Sequence, residues 1–441
     1  MDLRGLCAMV VGLGASGRAA ARFLASRGAS LVLTDTRRDL STADLPLAQL
    51  HLGGEEAAWL GGVDLVVVSP GVPLTSKLVA AARRAGTPVI GELELASRFI
   101  KFPLIAVTGT NGKSTVTTLI SKICQNAGMK TFVGGNLGTP LVEAISHEFD
   151  LAVVEVSSYQ LETIASFKPQ VAIHLNLSDD HFDRYHNLAA YGRAKARIFE
   201  NQDPSDWAIL NREDPLVWKL RDEVKAKVLS LGRIRPSFPG AAEMWEESGL
   251  RFAIGGNYGT ISLNQFRLPG RFNHSNAMAA AGAALLLNVA PRVIERTFAE
   301  FDGLPHRLQP VCQRNGVSFI DDSKGTNVGA VLEALAAVRA PIVLIAGGVG
   351  KGGSYDALRA PIREKVRLLI LYGDARRMMR SDLDGTTRIE LVQTMQEGVA
   401  RATAEARAGD TVLLSPACAS FDQFENYAAR GRAFQKLVCA L

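Results

Sequence analysis

The sequence lacks the patterns of a disulfide-bonded or zinc-binding protein. Its 441 residues include five cysteines, odd in number and widely spaced, and none belongs to a C-x-x-C pair. A reducing compartment is therefore expected. The sequence also lacks an apolar run long enough to span a bilayer, since the nearest candidate, residues 277–289, is too short and too rich in alanine.

A signal-peptide core and clusters of like charge are missing as well. The first residues lead directly into a predicted strand without an apolar leader, so we expect a cytoplasmic protein with no membrane insertion. The net charge of +5 is spread along the chain and forms no basic arm or stripe. This distribution favours small anionic substrates over nucleic acid. We separately expect the protein to be a monomer.

Strand and helix patterns alternate from end to end, which predicts an α/β fold with mainly parallel sheets. The length indicates about three domains. We predict their bounds as residues 1–92, 93–297 and 298–441. The less regular stretch 228–270, punctuated by glycine and proline, predicts a small β appendage.

The most informative segment is a predicted phosphate-binding loop. A short apolar strand, 104–107, leads into Thr-Gly-Thr-Asn-Gly-Lys-Ser-Thr at 108–115, and a helical pattern follows. The glycines permit a tight turn whose N–H groups face phosphate oxygens, Lys113 supplies charge, and Ser114 offers a hydroxyl to magnesium. Val107 occupies the position at which the general P-loop motif has its first glycine. An ordinary GTPase is therefore a less favoured interpretation than another ATP-using family. The alternative is a glycine-rich turn with a surface lysine.

A second glycine-rich turn opens the chain. Strand 7–11, the turn Gly-Leu-Gly-Ala-Ser-Gly at 12–17, a helix and strand 30–33 form a βαβ pattern, and Asp35 stands at the end of its second strand. The turn can hold a pyrophosphate, and the pattern fits a nicotinamide dinucleotide or a UDP-sugar equally well. Asp35 could also be an ordinary turn residue.

Charged residues follow two further predicted strands. Glu155 ends an apolar strand in the central region, where a carboxylate suits magnesium, although it could be a surface charge. The next strand leads into Asp-Asp-His-Phe-Asp-Arg at 179–184. This cluster predicts a second metal or phosphate site, and the alternative is a structural His181.

Several segments together resemble the Mur ligases of bacterial peptidoglycan synthesis, and the resemblance covers essentially the whole chain. The segments are 109–115, 155–162, 180–185, 191–195, 303–307, 322–327 and 415–424. The resemblance implies Rossmann-like first and third domains around a P-loop ATPase-like centre. It further implies an ATP-dependent ligase that adds D-glutamate to UDP-N-acetylmuramoyl-L-alanine through an acyl phosphate.

The resemblance also assigns residues in each domain. The catalytic set is Lys113, His181 and Lys195. The ATP-binding set is Gly109, Thr110, Asn111, Gly112, Lys113, Ser114, Thr115, Asn273, Asn276, Arg307, Asp322 and Lys324. The UDP-substrate set is Gly14, Ala15, Ser16, Asp35, Thr36, Arg37, Gly71, Asn136 and His181. The D-glutamate set is Thr326, Lys351, Ser420, Phe421 and Tyr427.

By the same resemblance, two Mg²⁺ ions are expected as cofactors beside ATP, held by Ser114, Glu155, His181 and a carbamylated Lys195. Without the resemblance, Lys195 would be an ordinary helical surface lysine and Lys351 a solvated loop lysine. The chain departs from the family pattern at Val349, where some relatives have aspartate. The segment between His181 and Lys195 is also one residue shorter than in others.

Other functions compete with this prediction. A different Mur ligase or a folylpolyglutamate synthase shares the central loop, although the N-terminal turn argues against the folate enzyme. The lack of an Asp-Asn-Pro-Arg segment argues against the diaminopimelate- or lysine-adding relatives. From other classes, the alternatives are a nicotinamide-dependent oxidoreductase with an ATP-binding appendage and a nucleotide-gated binding module.

Overall fold

The described strands form three separate sheets. The computed structural model describes residues 2–236, 240 and 242–440. Each sheet is mainly parallel and carries helices between its strands, so the predicted α/β class is confirmed. None of the helices in these residues is long and apolar enough to cross a membrane.

The first sheet is parallel throughout, in the order β3-β2-β1-β4-β5. Its elements and the helix that follows them are β1 (Cys7–Val11), α1 (Ala15–Ser26), β2 (Ser30–Asp35), β3 (Gln49–Leu52), β4 (Leu65–Val68), α2 (Lys77–Arg84), β5 (Val89–Gly91) and α3 (Glu92–Ser97). The strands β1 and β4 are almost fully buried, as apolar strands covered on both faces require.

The second sheet has the order β14-β13-β12-β11-β10-β9-β6-β8-β7. Its elements and helices are β6 (Leu104–Thr108), α4 (Lys113–Asn126), β7 (Thr131–Gly135), β8 (Leu151–Glu155), α5 (Ser158–Leu161), β9 (Val171–His174), α6 (Leu188–Ala196), β10 (Trp207–Asn211), α7 (Pro215–Trp218), β11 (Lys227–Gly232), β12 (Ala242–Glu246), β13 (Leu250–Ile254), β14 (Asn257–Ile261), α8 (Arg271–Leu286) and α9 (Pro291–Glu300). The strand that carries the phosphate loop, β6, lies between β8 and β9.

The predicted β appendage is part of this sheet. Strands β12, β13 and β14 pair antiparallel with one another, and β12 pairs in parallel with β11. They therefore extend one edge of the second sheet, away from the phosphate loop.

The third sheet has the order β15-β16-β20-β17-β18-β19, and only the β15–β16 pair of these described strands is antiparallel. Its elements are β15 (Gln309–Arg314), β16 (Val317–Asp321), α10 (Val328–Ala337), β17 (Ile342–Gly347), α11 (Arg359–Lys365), β18 (Val366–Tyr372), α12 (Arg376–Leu383), β19 (Arg388–Leu391), α13 (Met395–Glu405), β20 (Thr411–Leu414) and α14 (Tyr427–Cys439). Short 3₁₀ helices occupy Ala57–Leu60, Leu141–Ser146, Arg197–Phe199, Lys219–Asp222 and Asp356–Leu358.

The predicted domain bounds stay a prediction, and the structure adds detail at both. The first bound falls at the start of α3, directly after the last strand of the first sheet. The second falls inside α9, whose buried Phe298 packs in the core of the second sheet together with Phe301. Packing therefore favours a second bound that lies after Phe301.

A buried carboxylate joins the first two sheets. Glu94, on α3, accepts hydrogen bonds from the backbone N–H groups of Ala165, Ser166 and Phe167 at 2.9 Å each. Burial alone would raise the pKa of Glu94, but these donors together with Arg98 hold it below its ordinary value. The charge satisfies the backbone of the 165–167 turn and holds α3, the helix that follows the first sheet, against the second sheet's domain.

Candidate active site

The phosphate loop connects β6 to α4 through two glycines with positive φ angles. Gly109 and Gly112 adopt φ angles of 149° and 86°, a region that side-chain-bearing residues rarely enter. A Cβ atom on Gly112 would lie 2.4 Å from Oδ1 of Asn276 on α8. The turn therefore depends on glycine for its backbone conformation and for its close approach to α8.

Two lysines converge on the same loop carbonyl. Lys113 Nζ donates to the carbonyl oxygens of Gly109 and Thr110 at 2.9 Å, and Lys195 Nζ donates to Gly109 O at 2.8 Å. Lys195 is 1% exposed, and its ammonium lies 4.6 Å from the ring centre of Tyr191. Burial lowers the pKa of both lysines, that of Lys195 strongly, and Lys113 adds to the effect on Lys195.

Glu155 presents an unpartnered oxygen at the end of β8. Its Oε1 accepts a hydrogen bond from Asn136 Nδ2 at 2.6 Å, whereas Oε2 is buried without a partner among the described residues. Burial opposes ionisation, but Lys113 and the Ser114 hydroxyl hold the pKa of Glu155 below its ordinary value. The side chain is therefore an anion with one oxygen free.

The oxygens of Ser114 and Glu155 are the type of ligand that Mg²⁺ prefers. Within the described parts of the chain, no group of three or more His, Cys, Asp or Glu side chains is arranged to hold a metal. Phosphate oxygens and water are the usual further ligands of a nucleotide-bound magnesium ion.

His181 lies in a strained, partly buried position beside this centre. Its φ angle is 57°, and Nδ1 is 2.8 Å from the hydroxyl of Tyr159. Burial lowers the pKa of His181 to about 4, despite the opposing effect of Asp180. The imidazole is therefore neutral at pH 7 and has a nitrogen available as a ligand or proton acceptor.

The third domain contacts this edge through Lys351 of the predicted amino-acid set and through Asn327, which is outside the predicted sets. Asp180 accepts a hydrogen bond from Lys351 Nζ at 2.9 Å and another from Asn327 Nδ2 at 3.1 Å. Asn327 also pairs with Asn111 of the phosphate loop. Asp180 lies in the charged cluster 179–184 that predicts a second metal or phosphate site, and Asn327 lies in the segment 322–327 that resembles the family, although neither belongs to a predicted binding set.

A cavity of about 490 Å³ opens beside the loop, between the second and third sheets. Arg307 Nη2 crosses its edge and donates to Ser114 Oγ at 3.1 Å. The cavity is lined by these residues of the predicted ATP set: Asn111, Gly112, Thr115, Asn273, Asn276, Arg307, Asp322 and Lys324. Its size and lining suit a nucleotide.

Asp322 is buried and Lys324 is half-buried in the wall of this cavity. Asp322 accepts hydrogen bonds from Leu308 N and Ser415 Oγ, and burial raises its pKa to about 7. Lys324 Nζ lies 3.9 Å from the ring centre of Tyr427, and its pKa falls to about 8 because of burial and the neighbouring Arg307. Tyr427 thus connects the predicted amino-acid and nucleotide sets.

The predicted amino-acid residues are less closely assembled. Lys351 lines a cavity of about 30 Å³, while Ser420 is buried and Phe421 is 73% exposed on the loop after β20. Thr326 lies in the turn before α10, where its N–H donates to Lys324 O at 2.9 Å. The D-glutamate assignments stay predictions.

The first glycine turn is built around Asp35. The Asp35 carboxylate accepts the N–H of Leu13 at 2.7 Å and is paired with the Arg37 guanidinium, which lowers its pKa to about 2. Gly14 and Ala15 remain exposed at the N-terminus of α1. Asp35 thus fixes the turn and Arg37, and the exposed N-terminus of α1 beside Ser16 is accessible to an anion.

Thr36 and Gly71 are exposed at the carboxyl edge of the first sheet, near this turn. Asn136 lies instead on the second sheet, where it contacts Glu155. The UDP-substrate assignments, including that of His181, stay predictions.

Sequence comparison matches three families along the chain. The Mur ligase MurD-like N-terminal domain matches residues 7–91, the Mur ligase middle domain 107–284, and the Mur ligase glutamate ligase domain 306–418. The chain belongs to the Mur ligase family. Mur ligases use ATP and Mg²⁺ to join components of peptidoglycan precursors.

Relatives that match over nearly their full length support this family assignment. A protein of Geotalea uraniireducens is 43% identical over 100% of this chain and 99% of its own length. One of Pelotomaculum thermopropionicum is 42% identical over 98% and 97%. Both are named UDP-N-acetylmuramoylalanine--D-glutamate ligase.

Solved structures show the same Mur ligase fold at low identity. A pseudomurein peptide ligase type C from Methanothermus fervidus aligns with a TM-score of 0.62 at 18% identity, over 99% of this chain and 100% of its own. UDP-N-acetylmuramate-alanine ligase MurC from Thermotoga maritima aligns with a TM-score of 0.62 at 17% identity, over 99% of both chains.

Substituting Gly112→Ala tests the loop geometry. The new methyl would meet Asn276 and force an unfavourable φ angle, so we expect ADP binding to weaken by about tenfold or more. Isothermal titration calorimetry measures the Kd. Gly54→Ala is the matched control, because its Cβ would approach no atom closer than 3.7 Å. An unchanged Kd in a Gly112→Ala protein of normal Tm would contradict the described loop.

Proposed function

We propose that this Mur ligase joins D-glutamate to UDP-N-acetylmuramoyl-L-alanine with the hydrolysis of ATP to ADP. The observation that carries the proposal is the assembly of Lys113, Glu155, Lys195 and Arg307 around one phosphate loop. The names of the full-length relatives support the same substrates.

The chemistry explains why a triphosphate site is required. A carboxylate oxygen is a poor leaving group, so ATP first phosphorylates the alanine carboxylate of the UDP-sugar to give an acyl phosphate and ADP. The free amine of D-glutamate then attacks the acyl carbon, the amine proton is lost, and phosphate leaves. Both reacting partners carry negative charge, which Lys113 and Arg307 partly neutralise.

Magnesium supplies further charge neutralisation to the triphosphate when it is bound. We propose two ions. Ser114 and the free Glu155 oxygen would hold the first. His181 and a carbamylated Lys195 would hold the second, because an unmodified ammonium group has no lone pair to offer a metal.

We propose that the UDP-sugar binds at the first domain and D-glutamate at the third. The turn that contains Gly14 and Ser16 would hold the UDP pyrophosphate, with Asp35 positioning Arg37 near the base. Lys351 would exchange its contact with Asp180 for a carboxylate of D-glutamate, near Thr326 and Ser420. We further propose that the enzyme is a cytoplasmic monomer with domains near residues 1–92, 93–297 and 298–441.

A phosphate-release assay tests the proposed reaction. Release should require ATP, UDP-N-acetylmuramoyl-L-alanine and D-glutamate together, and L-glutamate, L-lysine or diaminopimelate should not replace D-glutamate. Lys113→Ala should lower the rate by about two to three orders of magnitude because it removes a charge from the phosphate site, whereas the exposed Lys225→Ala should not.

Phosphate release that is indifferent to both acceptor substrates would reject the ligase. Tight binding of NADH in place of the UDP-sugar would favour the oxidoreductase alternative. Partner binding that is retained without turnover would favour the nucleotide-gated module.

The carbamate on Lys195 has its own test. The Lys195 ammonium first loses a proton, which its lowered pKa favours, and the neutral Nζ then bonds to the carbon of carbon dioxide and releases a second proton. Protein incubated with ¹³C-bicarbonate should show a carbamate carbon signal by NMR that is lost in Lys195→Ala but kept in Lys225→Ala. Activity lost in Lys195→Ala should be partly restored by formate or acetate, because either anion can replace the missing carboxylate. A wild-type protein without the signal, and a variant without rescue, would reject the modification.

A further inference from the structure

Glu333 occupies the wall between two cavities. It projects from α10 into the nucleotide cavity and also lines a neighbouring cavity of about 570 Å³ at the carboxyl ends of β9, β10 and β11. The two cavities share this stretch of wall, which consists of Asn111, Gly112, Phe272, Asn276 and Glu333. A nucleoside in either cavity would therefore have Glu333 among its lining residues.

The Glu333 carboxylate is without a partner. No hydrogen bond or ion pair to it is formed by the residues that the structure describes. Glu333 is exposed to solvent where it lines these cavities, and partial desolvation by their walls raises the pKa of its carboxyl group. An acceptor that is placed in a ligand cavity and left unpaired within the protein is available for a donor on the ligand.

Charge decides which part of a nucleotide can lie next to Glu333. The triphosphate belongs beside the phosphate loop, where Lys113, Arg307 and Lys324 provide positive charge. A carboxylate would repel phosphate oxygens, so its neighbour must be the uncharged nucleoside. The hydrogen-bond donors of adenosine are the two ribose hydroxyls and the 6-amino group of the base.

We propose that Glu333 accepts a hydrogen bond from the nucleoside part of ATP and contributes to the choice of nucleotide. The inference rests on the proposed function, in that it takes ATP as the occupant of this cavity. A carboxylate favours donors, so it would also disfavour a guanine base, whose 6-oxo group is an acceptor.

Two substitutions test this role. Glu333→Ala removes the acceptor, and we expect the KM for ATP and the Kd for ADP to rise about tenfold, with kcat and the KM for D-glutamate unchanged. Glu333→Gln retains a neutral acceptor and should show a smaller rise. Glu364→Gln, on the exposed face of α11, is the matched control. Melting temperatures establish that each variant is folded.

ATP analogues identify the donor. For the wild type, one of 2′-deoxy-ATP, 3′-deoxy-ATP and purine riboside triphosphate should bind about tenfold more weakly than ATP, whereas Glu333→Ala should no longer distinguish that analogue from ATP. An unchanged Kd for ADP in Glu333→Ala would overturn the proposal. The proposal would also be overturned if the substitution weakened the binding of ATP and of each of the three analogues by the same factor.

The proposed function and this inference fail in different ways. If wild-type protein bound ADP but released no phosphate with the expected substrates, the ligase assignment would fail, and the ADP measurements would still decide the role of Glu333. If the wild type were active and Glu333→Ala matched it in ADP affinity, only the inference would fail.

Discussion

The carbonyl oxygen of Gly109 is the contact on which the rest of this site depends. It accepts hydrogen bonds from both Lys113 and Lys195, so two ammonium groups lie next to each other in a buried place. Burial and mutual repulsion disfavour their charges, and Glu155 only partly offsets this. A triphosphate would supply the missing negative charge, which makes the site a strong receptor for that group.

The topology brings these groups together. Because β6 lies between β8 and β9, the phosphate loop, Glu155 and the segment that leads to His181 leave the sheet side by side. The third domain contacts this edge of the sheet at two points. Arg307 donates a hydrogen bond to Ser114, and Lys351 donates one to Asp180. The proposed nucleotide site and the contact with the third domain therefore lie at the same edge of the second sheet.

Much of this arrangement could be predicted from the sequence. The α/β class and the phosphate loop follow from local patterns, since glycine, lysine and serine at fixed spacing determine a turn and a charge. The position of Glu155 follows from its place at a strand end. The predicted helix after the loop begins at Lys113, directly after Gly112 makes the turn in a left-handed conformation.

The contacts between distant segments could not be predicted in this way. The pairing of Asp180 with Lys351 depends on how two domains meet, and neither residue carries a local sign of it. Asp35 resembles a ligand-binding carboxylate in sequence, yet the fold directs it toward Leu13 and Arg37. Glu333 is an ordinary helical glutamate until the cavities beside α10 are known. Long-range packing determines each of these roles.

The central claim is that the phosphate loop serves to activate a carboxylate. The most direct measurement uses UDP-N-acetylmuramoyl-L-alanine with ¹⁸O in its alanine carboxylate and follows the label by mass spectrometry of the released phosphate. If the carboxylate is phosphorylated, each phosphate should carry one ¹⁸O atom, because the acyl carbon–oxygen bond breaks when the amine attacks. Phosphate released without the label, while the amide product accumulates, would contradict the account.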